Sequence, residues 1–132
     1  MMGITVSWVD ETHSAVLLDF RGHWTWDEMR TANQQIEEMS KSVAHVVDIV
    51  NDLTYSSGLP SGALTEARAM MNGFERPQGL MIGIQVGGLV QALYPIFQNL
   101  YGRRAGFPET LFFETRQDAF DYIHLQRNAG KE

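Results

Sequence analysis

The stretch from His45 to Met71, HVVDIVNDLTYSSGLPSGALTEARAMM, decides the fold. It opens on a β-branched run, Val46, Val47, Ile49 and Val50, too short for a globular helix and suited to a strand buried on both faces. A Ser/Gly/Pro loop follows, and then Ala63, Leu64, Ala67, Met70, Met71 and Phe74 recur at helical spacing. Strand, loop and helix are half of a βαβ unit. Ligands and partners of open α/β sheets meet the crevice beyond the carboxyl ends of the strands, so the loop Tyr55 to Ser61 is the first candidate for a working surface.

On the amino-terminal side, Ile4, Val6 and Trp8 alternate with Thr5 and Ser7, which predicts a half-buried strand over 4–9. A polar turn, 10–14, leads to a second strand, AVLLDF over 15–20, and the short connection makes the two an antiparallel hairpin. Thr25 and Glu28 form a T-x-x-E capping box, with Trp24 and Met29 placed as its hydrophobic staple. The helix it starts buries Met29, Ala32, Ile36 and Met39 and turns Glu37, Glu38 and Lys41 to solvent.

On the carboxyl side, Gly73 and Pro77 are stop signals and LMIGIQV, 80–86, is a further buried strand. Gly87-Gly88 turns the chain into a helical pattern over 89–101, interrupted by Pro95. A loop, 102–108, carries Arg103 and Arg104. A short strand, 111–113, precedes a final helix capped by Thr115 and Asp118 and built on Ala119, Phe120, Tyr122 and Ile123, with 128–132 as a frayed tail. The order ββαβαβαβα predicts one α/β domain with four main helices: an antiparallel hairpin, then parallel strands in a mixed sheet covered by helices.

At 132 residues, 44% apolar and 20% charged, the chain suits one globular core. A formal charge of -6 with scattered basic residues argues against nucleic acid and anionic membranes as partners. Without cysteine there is no disulfide, thiolate nucleophile or Cys-based metal site, which suits a cytoplasmic protein, and the amino terminus lacks a secretory pattern. The longest charge-free stretch, 77–102, is long enough to span a bilayer, but its glutamines, Pro95 and the Gly87-Gly88 pair divide it into a strand and a helix. No integral membrane segment is expected.

The catalytic patterns fail in turn. His13, His23, His45 and His124 have no metal-ligand spacing, and no metal or cofactor is expected. Gly58-Leu59-Pro60-Ser61-Gly62 has one residue too many for a nucleophile elbow. Gly83, Gly87 and Gly88 make no phosphate-binding fingerprint; Gly83 reads as close packing within a strand. Asp19, Asp48 and Asp52 could gather near strand ends for acid/base work, though solvated or capping carboxylates are the simpler reading. Ser56, Ser57 and Ser61 precede a helix, where Ser57 or Ser61 can serve as N-cap or the loop can bind or carry an anion.

In order along the chain, VLLDFRGHWTWDEM, VVDIV, Ser56-Ser57-Gly58-Leu59 and LFFETRQDAFDYI resemble the STAS superfamily, and more closely its SpoIIAA-like group of short bacterial proteins. The resemblance covers nearly the whole chain. It implies a non-enzymatic regulatory or partner-binding module and, by the group's likeness in fold to CRAL-TRIO domains, the alternative of a carrier for a lipid-like ligand. Antagonists of this family carry D-S-S-G-L-G with a phosphorylated serine; Tyr55 stands in place of the aspartate and Pro60 in place of the second glycine. The resemblance therefore points to Tyr55, Ser56, Ser57 and Ser61 as the binding or phospho-regulated loop.

The segment 89–101 adds a second candidate surface. Leu89, Val90, Leu93, Tyr94, Ile96, Phe97, Leu100 and Tyr101 surround most of a helix circumference, so one apolar face is left over after packing on the sheet. Leu89, Val90, Leu93, Tyr94, Phe97 and Tyr101 would then form a homodimer interface, or a lid over an apolar pocket hinged at Gly87-Gly88 and Pro95; burial of both faces beneath 102–108 is the plainer outcome. A small hydrolase ranks third as a function.

Overall fold

A computed structural model of the chain describes residues 3–62, 65–66, 79–87, 91 and 110–129. They form strands β1 (Gly3–Trp8), β2 (Ala15–Gly22), β3 (Asp48–Ser56), β4 (Met81–Ile84) and β5 (Thr110–Phe113), with helices α1 (Trp26–Lys41) after β2 and α2 (Arg116–Ala129) after β5. The five strands lie side by side in chain order; β1 pairs antiparallel with β2, and every later neighbour is parallel. The expected mixed α/β sheet is therefore present. Of the four expected helices two are α1 and α2; those over 63–74 and 89–101 fall outside the described residues, apart from helical backbone at Thr65, Glu66 and Gln91.

The sheet separates two apolar clusters. Alternation along β2 sends Val16, Leu18 and Phe20 to one face, where they meet Ile49, Trp24 and the α1 residues Ala32 and Ile36. The other face carries Ala15, Val50, Ile82 and Ile84 against Ala119 and Ile123 of α2. Both central strands are thus apolar on both sides, as parallel strands between helices must be.

Local chemistry fixes the helix starts. Thr25 Oγ1 accepts from the Glu28 amide at 3.2 Å while Glu28 Oε1 accepts from the Thr25 amide, closing the capping box, and Trp24 and Met29 pack in the same cluster. Thr115 Oγ1 accepts the Asp118 amide at 3.1 Å to start α2, which continues through Ala129, into the tail read as frayed. Replacing Thr25 with alanine removes one cap and is expected to cost about 1 kcal/mol, read as a lower urea midpoint with an unchanged m value.

Strand boundaries differ from the sequence reading, most of all at β3. Val46 lies outside β3 and is 55% exposed, while β3 runs six residues past Val50. Consequently Tyr55 and Ser56 belong to the strand end, not to a loop. β4 stops at Ile84 because Gln85 adopts a left-handed φ of 55° and turns its amide to Phe113 O of β5 at 3.1 Å. Gly83 packs as read: an added Cβ would lie 2.5 Å from Val86 Cγ2 and 3.2 Å from Phe112.

Candidate functional site

The carboxyl ends of β2 and β3 carry a charged cluster on the α2 face. Asp19 and Asp52 are cross-strand neighbours there. Asp52 is 1% exposed, and its Oδ2 accepts from Arg116 Nε at the first position of α2. Arg116 Nη2 lies 3.2 Å from Asp19 Oδ2, poorly directed for a hydrogen bond, and Arg21 Nε donates to the same oxygen at 2.9 Å. Two guanidinium groups therefore balance two carboxylates. Among the described residues the buried atoms Asp19 Oδ1 and Arg116 Nη2 find no hydrogen-bond partner.

Beyond this cluster the strand register slips. Between the paired positions Asp19 and Arg21 of β2, β3 advances from Asp52 to Tyr55, one residue more, which makes a bulge. The Asp52 carboxylate holds it: Oδ1 accepts from the Thr54 amide at 2.9 Å and from the Thr54 hydroxyl at 2.5 Å. Without the extra residue, Tyr55 would follow Leu53 onto the α1 face. With it, Tyr55 pairs with Arg21, whose guanidinium lies 4.6 Å above the ring, and the ring stays 58% exposed.

Burial raises the pKa of Asp52, but the Thr54 hydroxyl, the Arg116 guanidinium, the Thr54 amide and the Arg116 charge together hold it below the ordinary aspartate value. Hydrogen bonding to Asp52, opposed by burial and aided by the charge and contact of Asp19, raises Arg116. A carboxyl depressed in the folded state stabilises fully above its unfolded pKa and loses that contribution as pH falls through its folded value. Stability is therefore expected to fall in acid below the ordinary aspartate range. Urea unfolding at stepped pH should give Asp52→Asn a shallower acid decline than wild type; equal slopes would contradict this.

The four predicted loop residues have different parts. Ser56 is half-buried at the strand end, and its Oγ accepts from Trp24 Nε1 at 2.9 Å and from the Gly58 amide at 3.2 Å while donating to Gly58 O at 3.0 Å. It is a pin. Ser57 is exposed, and its amide donates to Gly22 O at 2.9 Å. Ser61 is exposed, and its carbonyl accepts from Trp26 Nε1 at 2.7 Å. Gly58, at φ +114°, makes the turn between them, and Leu59 stands 42% exposed beside it. The Glu66 amide bonds Gly62 O at 3.0 Å, and Glu66 Oε1 accepts from Arg30 Nη2 of α1 at 2.7 Å.

Asp48 does not join Asp19 and Asp52. It begins β3 at the opposite end of the sheet, where its Oδ1 accepts the Leu80 amide at 2.8 Å. His13, in the hairpin turn, stacks on Trp8 with centroids 4.4 Å apart, and His45 Nε2 donates to His13 O at 2.8 Å; His23 and His124 are exposed. Among the described residues no group of three or more His, Asp or Glu side chains is placed to hold a metal ion, and no helix is long and apolar enough to cross a membrane. The apolar surface assigned to Leu89, Val90, Leu93, Tyr94, Phe97 and Tyr101 lies outside the described residues. No protein-family model, curated protein or solved structure matches this chain.

Arg116, Arg21, Thr54 and Trp26 were not singled out from sequence, and Trp24 only as half of the hydrophobic staple. A signal existed for some of them. The T-x-x-D cap places Arg116 at the first turn of a helix directly after a strand, and D-F-R puts Asp19 and Arg21 on one strand face. Nothing in the sequence announces the bulge.

Proposed function

We propose that this chain is a non-catalytic, cytoplasmic regulatory or partner-binding domain whose contact surface is the rim formed by Tyr55, Ser57 and Leu59. The bulge carries the reading: a buried carboxylate is spent on holding one extra residue, and the effect is to present a tyrosine to solvent over an arginine. Aromatic anchors held rigidly lose little entropy on binding, which is why they dominate the energetics of interfaces. Leu59 adds an apolar contact beside it, and the Ser56 pin orders the turn between the two before any partner arrives.

Immobilised wild-type protein and a Tyr55→Ala, Leu59→Ser variant should retain different partners from the source-cell extract. Neither side chain supports the core, so both proteins should melt within about 0.5 kcal/mol of each other in stability. A partner held by wild type should be lost from the variant by tenfold or more, since each removed anchor is worth about 1 to 2 kcal/mol. Identical retained sets would refute the assignment of the rim.

A further inference from the structure

The amino-terminal edge of the sheet is open. Among the described residues no strand pairs with the outer side of β1, and its six residues, GITVSW, contain no charge, no proline and no bulge against β2. Edge strands are ordinarily protected by such features, because unpaired amides and carbonyls recruit another strand. The phase of the exposed groups follows from the turn. Val9 donates to Ala15 O of β2 at 2.8 Å, so the alternating backbone points Ser7 and Thr5 towards β2 and turns Ile4, Val6 and Trp8 outward.

These same three residues carry the apolar side chains of β1. Ile4, Val6 and Trp8 all pack only partly buried against the α1-face cluster, whereas Thr5 and Ser7 are exposed on the other face. We propose that β1 pairs antiparallel with β1 of a second copy about a two-fold axis through Val6, joining two five-stranded sheets into one. Val6 then faces its own counterpart and Ile4 faces Trp8 of the partner subunit. This register alone joins all three outward residues of each copy, as three reciprocal pairs and six backbone hydrogen bonds. It also closes the half-buried apolar stripe across the axis, with Trp8 over Ile4 of the partner subunit.

The strand adds no charge of its own to the contact. Each chain carries a formal charge of -6, which opposes self-association in general, and β1 brings no charged residue to the axis. A two-fold operation is also satisfied by one self-complementary strand, as an isologous interface requires. The antiparallel pairing would turn the Tyr55 rims of the two copies to opposite ends of the ten-stranded sheet. That consequence, unlike the pairing itself, rests on the rim being the contact surface; it makes the dimer bivalent.

The register supplies its own test. Thr5 lies opposite Ser7 of the partner subunit, so a Thr5→Lys, Ser7→Lys chain sets two like-charge pairs across the axis, and a Thr5→Lys, Ser7→Glu chain sets two opposite-charge pairs. Sedimentation equilibrium should show a wild-type dimer, self-association weakened by about tenfold or more in the first variant, and recovery in the second. Both variants share the lysine beside Asp19, so any perturbation there is common to the two. Amide exchange should show Ile4, Val6 and Trp8 protected in wild type and fast in the dissociated variant, with Thr5, Ser7 and Val9 protected in both. A wild type monomeric at millimolar concentration, a dimer with fast exchange at Ile4, Val6 and Trp8, or no recovery on charge reversal would each overturn the proposal. Tyr55→Ala should leave the sedimentation unchanged, which separates failure of the pairing from failure of the rim.

Discussion

Replacing Arg116 with methionine is expected to destabilise the folded domain by about 2 to 4 kcal/mol at neutral pH. The side chain is only part of the cause. Asp52 is 1% exposed and depends on Arg116 for its charge partner, so the variant leaves a buried carboxylate beside that of Asp19, with the Thr54 amide and hydroxyl as its remaining partners among the described residues. Removing one member of a buried pair ordinarily costs about 3 to 5 kcal/mol, and the range is set lower because Arg116 itself is 37% exposed and water reaches it. Combining Arg116→Met with Asp52→Asn should recover at least half of the loss, because the uncompensated charge is then absent. Urea unfolding of the two single variants and the double completes the cycle. Strict additivity would mean that the two residues do not act as a pair.

The second large effect is expected at Trp24. Its indole fills the α1-face cluster, 4.9 Å from the Phe20 ring and 5.0 Å from that of Trp26, so Trp24→Ala should cost about 3 to 5 kcal/mol through the cavity it leaves. Trp24→Phe divides that effect. A phenylalanine keeps much of the apolar contact but cannot donate to Ser56 Oγ, and the lost hydrogen bond is worth about 1 kcal/mol. The local consequence should exceed the global one: Ser56 loses the contact that fixes its rotamer, and the Gly58 amide bonded to it should exchange faster than the amides of β3. Uniform acceleration throughout the sheet would show that Trp24 acts only by packing.

Much of the fold was legible because its signals are local. The hairpin follows from strict alternation at Ile4, Val6 and Trp8, the start of α1 from the Thr25 and Glu28 box, and the start of α2 from Thr115. The end of β3 was not legible. The apolar run ends at Val50 and Tyr55 and Ser56 read as the start of a loop, yet residues 51–56 continue the strand, and its polar side chains are satisfied from elsewhere: Asp52 by Arg116, 64 residues away, and Ser56 by Trp24, 32 residues away. A tertiary partner had overridden local preference.

The same cause limited the reading of the site. The serines of the loop looked equivalent in sequence, and distant indoles make them different: Trp24 occupies the Ser56 hydroxyl and Trp26 holds the Ser61 carbonyl, while the Ser57 side chain is left exposed. The three aspartates also looked equivalent. Strand direction separates them, placing Asp48 at the amino end of β3 and Asp52 four residues on, next to Asp19. Arg116 could be found only by asking which helix start follows a parallel strand.

Site-specific photo-crosslinking reads whether the rim at Tyr55 and Leu59 is the contact surface. A photoreactive phenylalanine placed at Leu59 samples the rim, and the same group at Leu125 of α2 is the control, since Leu125 is the more exposed at 67% against 42%. In intact source cells, the rim account predicts a discrete adduct with one partner from position 59, abolished by adding Tyr55→Ala, and only diffuse labelling from position 125. Equal labelling from both positions, or an adduct at position 59 that survives Tyr55→Ala, would contradict it.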